Sequence, residues 1–178
     1  MLNKNFTPFP VLITESLTLR QLSINDAQGI FTLRSDKEIN KYLGRQASET
    51  IEDAENFINK ISESIKKNES IYLVITFTNS GTFVGTICLF NFSNEHNKCE
   101  IGYELLTDFQ GQGIMKEAAE KVIYYAFNII QIKKMEAFTH NDNTNSTKLL
   151  RKLNFKKSEE TGKENPELNI FTLTNPFI

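Results

Sequence analysis

Apolar residues recur along this chain with two different periods, and the switches between them mark its elements. Leu17-Thr18-Leu19-Arg20-Gln21-Leu22 alternates apolar with polar, as a half-buried strand does. Asn25 or Asp26 is placed to open a helix running to about Arg34, and residues 36–42 read as a second, short helix. Ile51, Ala54, Phe57, Ile58, Ile61 and Ile65 share one helical face, which predicts a helix opened by Ser48 and ended near Asn68. Residues 71–78 and 82–92 read as strands joined by the hairpin signal Asn79-Ser80-Gly81, and residues 98–106 as the next strand. Ala118, Ala119, Val122, Ile123, Ala126, Phe127 and Ile130 then lie on one face of a long helix over 113–130. A strand at 134–139, a helix at 146–153 opened by Ser146, and strands near 155–159 and 168–174 follow. Residues 1–13, with Pro8 and Pro10, read as an irregular lead-in. Strands come first as a meander and then alternate with helices, which predicts a mixed α/β sheet.

Composition narrows the function classes. The chain has 178 residues, enough for one domain with a substantial core. Its net charge of −2, with Lys and acidic residues intermingled, supplies no basic field for nucleic acid or an anionic membrane. The apolar runs are short and the N-terminus lacks a signal-peptide pattern, so the expected location is cytoplasmic. Cys88 and Cys99 lie in strand-like runs with no Cys-x-x-Cys or His cluster nearby. They read as buried thiols in a reducing compartment, with no metal site.

The most informative stretch joins Glu100-Ile101-Gly102-Tyr103-Glu104-Leu105 to Phe109-Gln110-Gly111-Gln112-Gly113-Ile114-Met115. A strand, a glycine-bearing turn and a helix in that order put unhindered N–H groups at the positive end of a helix dipole, a site suited to a diphosphate. A P-loop is excluded because no Lys-Ser/Thr pair follows the glycines. The dinucleotide fingerprint fails because its third glycine position is Lys116.

With its flanks, this stretch resembles the GNAT superfamily of acetyl-CoA-dependent N-acetyltransferases. The resemblance rests on Gln110-x-x-Gly113-x-Met115, on the Glu100-Ile101-Gly102-Tyr103 strand, and on Asn143-x-x-Ser146-x-x-Leu149-Leu150-Arg151-Lys152-Leu153-Asn154-Phe155. Leu17–Leu22 with Asp26-Ala27 adds to it. The likeness runs from about residue 14 to 175 and is strongest to the branch that acetylates the N-terminal alanine or serine of ribosomal proteins. Met115 and Asn154 depart from the common pattern, and Glu104 stands where a Trp is frequent. Asn154 suits the left-handed position after a helix that Gly usually takes.

The resemblance implies a single acetyltransferase domain over residues 1–178 and a predominantly antiparallel sheet flanked by helices, with a V-shaped split between two central strands. It implies that the pantetheine arm of acetyl-CoA pairs with backbone at Leu105, Leu106 and Thr107. The diphosphate would meet the loop of Gln110, Gly111, Gln112, Gly113, Ile114 and Met115, with Asn143 as a further cofactor contact and CoA as product.

Direct acyl transfer from a thioester to an amine needs no covalent enzyme intermediate, so the lack of a Ser-His-Asp or Cys-His set is no objection. It needs the amine deprotonated and the sulfur released. An α-amino group, with a pKa of about 8, asks less of a carboxylate base than a lysine amine at about 10.4. Glu100 is the base candidate that the resemblance points to. Glu104, four residues on and on the same face, is an alternative for binding the acceptor, and Glu159 and Glu160 are a third choice for the base. Ser146 is the hydroxyl expected near the departing sulfur. Asn143 and Ser146 are equally suited to helix capping. His96 and His140 fall in polar segments and carry no expected role, and Tyr124 and Tyr125 are unassigned. The acceptor expected is a protein or peptide N-terminal amine, with a polyamine or aminoglycoside-like amine as the alternative. A non-catalytic CoA-binding module is the reading from another class. A monomer or a homodimer fits equally.

Overall fold

The computed structural model describes residues 6–161 and 165–176, with the side chains of residues 160 and 161 outside that description. Its strands form one eight-stranded sheet in the order β1-β2-β3-β4-β5-β6-β8-β7. They are β1 Leu12–Ile13, β2 Leu17–Gln21, β3 Ile71–Phe77, β4 Phe83–Ser93, β5 Lys98–Leu105, β6 Lys134–His140, β7 Lys156–Thr161 and β8 Leu168–Thr174. Neighbours are antiparallel except β5 and β6, which run parallel. A parallel pair cannot be closed by a tight turn and needs a crossover, here through helix α4, Ile114–Tyr125.

Alternation along the strands divides the interior into two cores. Leu17, Leu19, Leu73, Ile75, Ile87, Leu89, Cys99 and Ile101 face α4 and α5 (Thr144–Lys152). On the opposite face, Tyr72 and Val74 meet Ile30 of α1 (Ala27–Ser35) and Ala54, Ile58 and Ile65 of α3 (Ile51–Lys66). A short α2, Lys37–Asn40, follows α1. The two cysteines fall on opposite faces and are free thiols; burial pushes Cys88 up to about 12 and raises Cys99 as well.

Helix starts differ from the sequence expectation where competing polar partners decide. Thr50, not Ser48, caps α3: its hydroxyl accepts from the Asp53 N–H while Asp53 accepts from the Thr50 N–H, a reciprocal box that Ser48 is too far upstream to make. The Ser48 N–H instead donates to the Arg34 carbonyl at 2.9 Å. Asp26 stands at the start of α1 without capping it through its side chain. Its carboxylate takes both terminal nitrogens of Arg20, at 2.7 and 2.9 Å, and the Ser23 N–H.

The expected single helix over 113–130 is α4 continued by a π-helical stretch, Ala126–Ile130, that stops at Gln131 with φ of 65°. Within the lead-in, the described residues 6–13 are more ordered than expected. Leu12 and Ile13 pair with β2, and Phe6 is buried against the ring of Phe92. After α5, Asn154 takes φ of 65°, as expected of an Asn at that position. The Phe155 and Asn154 N–H groups return to the Leu150 and Arg151 carbonyls, each at 3.0 Å, closing the helix as a Schellman motif.

Candidate active site

The site begins where the parallel pair stops pairing. β5 and β6 are joined only at Lys98↔Lys134, Cys99↔Met135 and Glu100↔Glu136. Beyond that rung residues 101–105 and 137–140 have no partner across the gap, so the sheet opens as the expected V. Glu100 and Glu136 sit together at its apex, and their surroundings drive them apart. Glu136, its side chain only 9% exposed, takes the ammonium groups of Lys98 and Lys134 at 2.7 and 2.9 Å. Although burial pushes the other way, the two lysines hold its carboxylate below the usual range. Glu100 is raised, by burial first and by the Glu136 charge as well, against a lowering hydrogen bond from Asn91. Neighbouring carboxylates pushed in opposite directions are a recurring mark of acid–base sites.

The Asn91 contact depends on a backbone irregularity. The β4–β5 register shifts between Phe90 and Ser93, and Asn91 within that shift has φ of 50°. The bulge re-aims the Asn91 amide so that Nδ2 donates to Glu100 Oε1 at 3.0 Å.

At the open end of the V, β5 leads through a turn at Thr107–Phe109 into α4. Gly111 and Gly113 have φ of 74° and 86°, in the left-handed region, and a Cβ on either would meet no heavy atom within 4 Å. The helix starts at Ile114, and the first amide closing on a turn carbonyl is that of Glu117, to Gly113 at 3.0 Å. The amides of Gly113, Ile114, Met115 and Lys116 therefore precede the intrahelical ladder, at the positive end of the dipole. Backbone donors, open space beside glycines and a helix start together fit a diphosphate. Gln110 is internally engaged twice: its N–H donates to the Thr107 carbonyl at 3.2 Å, and its side-chain Nε2 to the Leu105 carbonyl at 2.9 Å. Leu106 N–H donates to the Val84 carbonyl at 2.9 Å, while Gln112 Nε2 bonds the Asp108 carbonyl.

Ser146 does not open α5. Asn143 does, its Oδ1 accepting from the Ser146 N–H at 3.1 Å, which leaves the Ser146 hydroxyl free of capping duty. That hydroxyl lies 2.9 Å from the hydroxyl of Tyr103. Burial pushes the Tyr103 phenol up to about 12, so it keeps its proton at neutral pH. Tyr103 was legible only as part of a strand motif; its odd position, alternating with Glu100 and Glu104, was the available signal. By that alternation Tyr103 and Ser146 lie on the α4 and α5 face of the sheet and Glu100 on the other, with the V between them.

On the Glu100 face, α2 with its cap Asp36 and the segment after it border the mouth of the V. The Tyr42 ring stacks on His140, the last residue of β6, with centroids 5.4 Å apart, and Thr107 Oγ1 donates to Asp36 Oδ2 at 3.3 Å. His140, expected in a loop, is thus a strand terminus. Arg45, in the same segment, pairs with Glu104. Glu159 is exposed, and the Glu160 side chain lies outside the described residues. His96 is likewise exposed in the β4–β5 turn.

Three comparisons with known proteins bear on this arrangement. The family model described as "Acetyltransferase (GNAT) domain" matches residues 16–156. The chain is 32% identical over 149 residues to "Uncharacterized N-acetyltransferase YoaA" of Bacillus subtilis, covering 84% of each. Among solved structures, it superposes on a ribosomal-protein-S5-alanine acetyltransferase from Vibrio fischeri with a TM-score of 0.80. Their identity is 23%, covering 94% of this chain and 97% of that one. A spermidine N-acetyltransferase from Vibrio cholerae, in complex with CoA and spermine, gives a TM-score of 0.78 at 20% identity, covering 91% and 97%.

Proposed function

The chain belongs to the GNAT acetyltransferase family and is an acetyl-CoA-dependent N-acetyltransferase, and from that premise we propose that its acceptor is a protein or peptide N-terminal amine. Acetyl-CoA supplies the acyl group already activated as a thioester. In this reading the loop amides from Gly111 to Met115 hold its diphosphate, with Gln110 and Gln112 shaping the loop. Leu105, Leu106 and Thr107 line the β5 side of the arm, and Asn143 holds the start of α5 beside it.

Glu100 takes the proton of the acceptor ammonium, directly or through water. The observation that carries this is its position: a half-buried carboxylate at the last rung before the V opens, bonded by Asn91 and raised beside Glu136. A carboxylate raised toward the pKa of an α-amine is a better match for proton transfer from it. On the opposite face the Ser146–Tyr103 hydroxyl pair stands where a departing sulfur needs a donor. Base and donor on opposite faces of the cleft suit an amine approaching from one side and a thiol leaving on the other.

The acceptor side supports a peptide end over a polycation. Glu104, the carboxylate best placed to attract a second ammonium, is neutralised by Arg45, and Arg34 stands nearby with a like charge. We place the enzyme in the cytoplasm, a reading supported by its two free thiols. The test is thiol release from acetyl-CoA with a panel of short peptides, spermidine and an aminoglycoside. Peptides with a free N-terminus should give the highest kcat/KM and N-blocked peptides none. Preference for spermidine by tenfold or more would overturn the peptide reading.

A further inference from the structure

We propose that Arg34 and Arg45 form a carboxylate-reading subsite on the acceptor side of the cleft, so that the preferred acceptor is a peptide N-terminus with an acidic side chain at its second or third residue. This rests on the peptide reading above and adds what the peptide must carry.

Two guanidinium groups meet here with too few anions. Arg45 donates from Nε to Asn40 Oδ1 at 2.7 Å and from Nη1 to Glu104, but its Nη2 is buried without a hydrogen-bond partner. Arg34 lies at the end of α1 with its guanidinium carbon 4.0 Å from the centroid of the Phe57 ring, and its Nε is likewise buried and unpartnered. The pair is tied into one unit by Asn40, whose Nδ2 donates to the Arg34 carbonyl at 2.9 Å. Burial lowers Arg34 from its ordinary value, the Arg45 charge lowers it further, and Glu104 offsets this only in part. The other titratable neighbours, Tyr72 and Cys88, are raised by burial and stay uncharged at neutral pH. Among the described residues, two cations thus face one carboxylate, Glu104.

Unpartnered buried donors on charged groups are costly, and a structure retains them for a reason. An incoming carboxylate offsets the excess positive charge by accepting from the guanidinium edges that meet solvent, the pairing arginine makes best. Arg45 keeps 20% of its side chain exposed and Arg34 is half-buried, so part of each side chain meets solvent although Arg45 Nη2 and Arg34 Nε are themselves buried.

Spacing sets where the acceptor's carboxylate must be. Glu100 and Glu104 are four residues apart on β5, about 13 Å at the usual strand rise. An amine at Glu100 and a carboxylate at the arginines are therefore well separated. A free amino acid, with both groups on one carbon, does not span that gap. An extended peptide advances about 3.3–3.6 Å per residue, and with side-chain reach on both sides its second or third residue does.

The experiment uses the full chain with acetyl-CoA and matched, C-terminally amidated peptides: Ala-Asp-Ala-Ala and Ala-Ala-Asp-Ala against the same peptides with Asn for Asp. At least one Asp peptide should show a KM about tenfold lower than its Asn counterpart at similar kcat, and Arg34→Gln should erase the difference. Equal KM values for the Asp and Asn peptides in the wild-type protein would overturn the subsite, whether or not the variant folds. Free alanine preferred over alaninamide, with no effect of Asp, would overturn it in favour of a free amino acid. Should no peptide be acetylated while spermidine is, the peptide reading fails instead. Calorimetric binding of the Asp and Asn peptides to the CoA-loaded protein then decides the subsite separately, tighter binding of Asp supporting it and equal binding overturning it.

Discussion

Single residues at this cleft act through conformation and charge. Gly113 is held at φ of 86°, where a side chain costs about 1–3 kcal/mol, and the space beside it is open. Gly113→Val should therefore weaken CoA binding at least tenfold by calorimetry, through strain in the loop and a branched side chain in the space meant for the diphosphate. Unchanged affinity would remove the loop as the diphosphate site. Glu100 makes a prediction in pH. A base must be ionised, so kcat/KM should fall as pH drops through its raised value, and Glu100→Gln should lose that acid limb together with most of its turnover. Glu136→Gln removes the like charge beside it, so the acid limb should move to lower pH. A limb that stays put in the pH–rate profile would dissociate Glu136 from the base.

Elements are set by local rules wherever a polar side chain has one good partner, and they drift where it has two. Thr50 and Asp53 form the box that starts α3, and Thr50→Ala should cost about 1 kcal/mol, read as a lower urea midpoint at unchanged m. Ser48→Ala leaves the box intact and should cost less; the reverse order would return the cap to Ser48. The hairpin at Asn79-Ser80-Gly81 and the Schellman end at Asn154 were legible because each needs a particular residue at a left-handed position. Asn143 and Ser146 were ambiguous as caps because both side chains suit that position. The chain enters α5 at Asn143, which takes the cap and leaves the Ser146 hydroxyl to Tyr103.

Across the whole molecule, one sheet is clothed on both faces, and the Arg20–Asp26 pair ties β2 to the segment that begins the α1 layer. Burial raises the Asp26 carboxyl, but Arg20 and the Ser23 donors more than offset this and hold it below the usual range. A carboxylate lowered on folding adds stability that is fully present above its unfolded value, about pH 3.9, and is lost as pH falls through the folded value. Arg20→Met should thus lose about 2 kcal/mol at neutral pH, since Asp26 stays buried without its cation. The gap to wild type should shrink in acid as Asp26 protonates in the variant. A gap that is independent of pH in chemical denaturation would assign the loss to packing.

The order of elements, the buried faces of the helices, the turn residues and the glycine-bearing start of α4 were written in the chain, because periodicity, capping and left-handed backbone are local properties. Contacts between distant segments were not. That Glu136 stands beside Glu100, that Asn91 reaches Glu100 through a bulge, that Tyr103 meets Ser146, and that Arg34 and Arg45 gather around Glu104 all follow from strand register and from how the loop after α2 lies over the sheet. A one-residue change of register would send the strand side chains among these, Glu100, Tyr103, Glu104 and Glu136, to the other face, and no local pattern around any one of them encodes its partner.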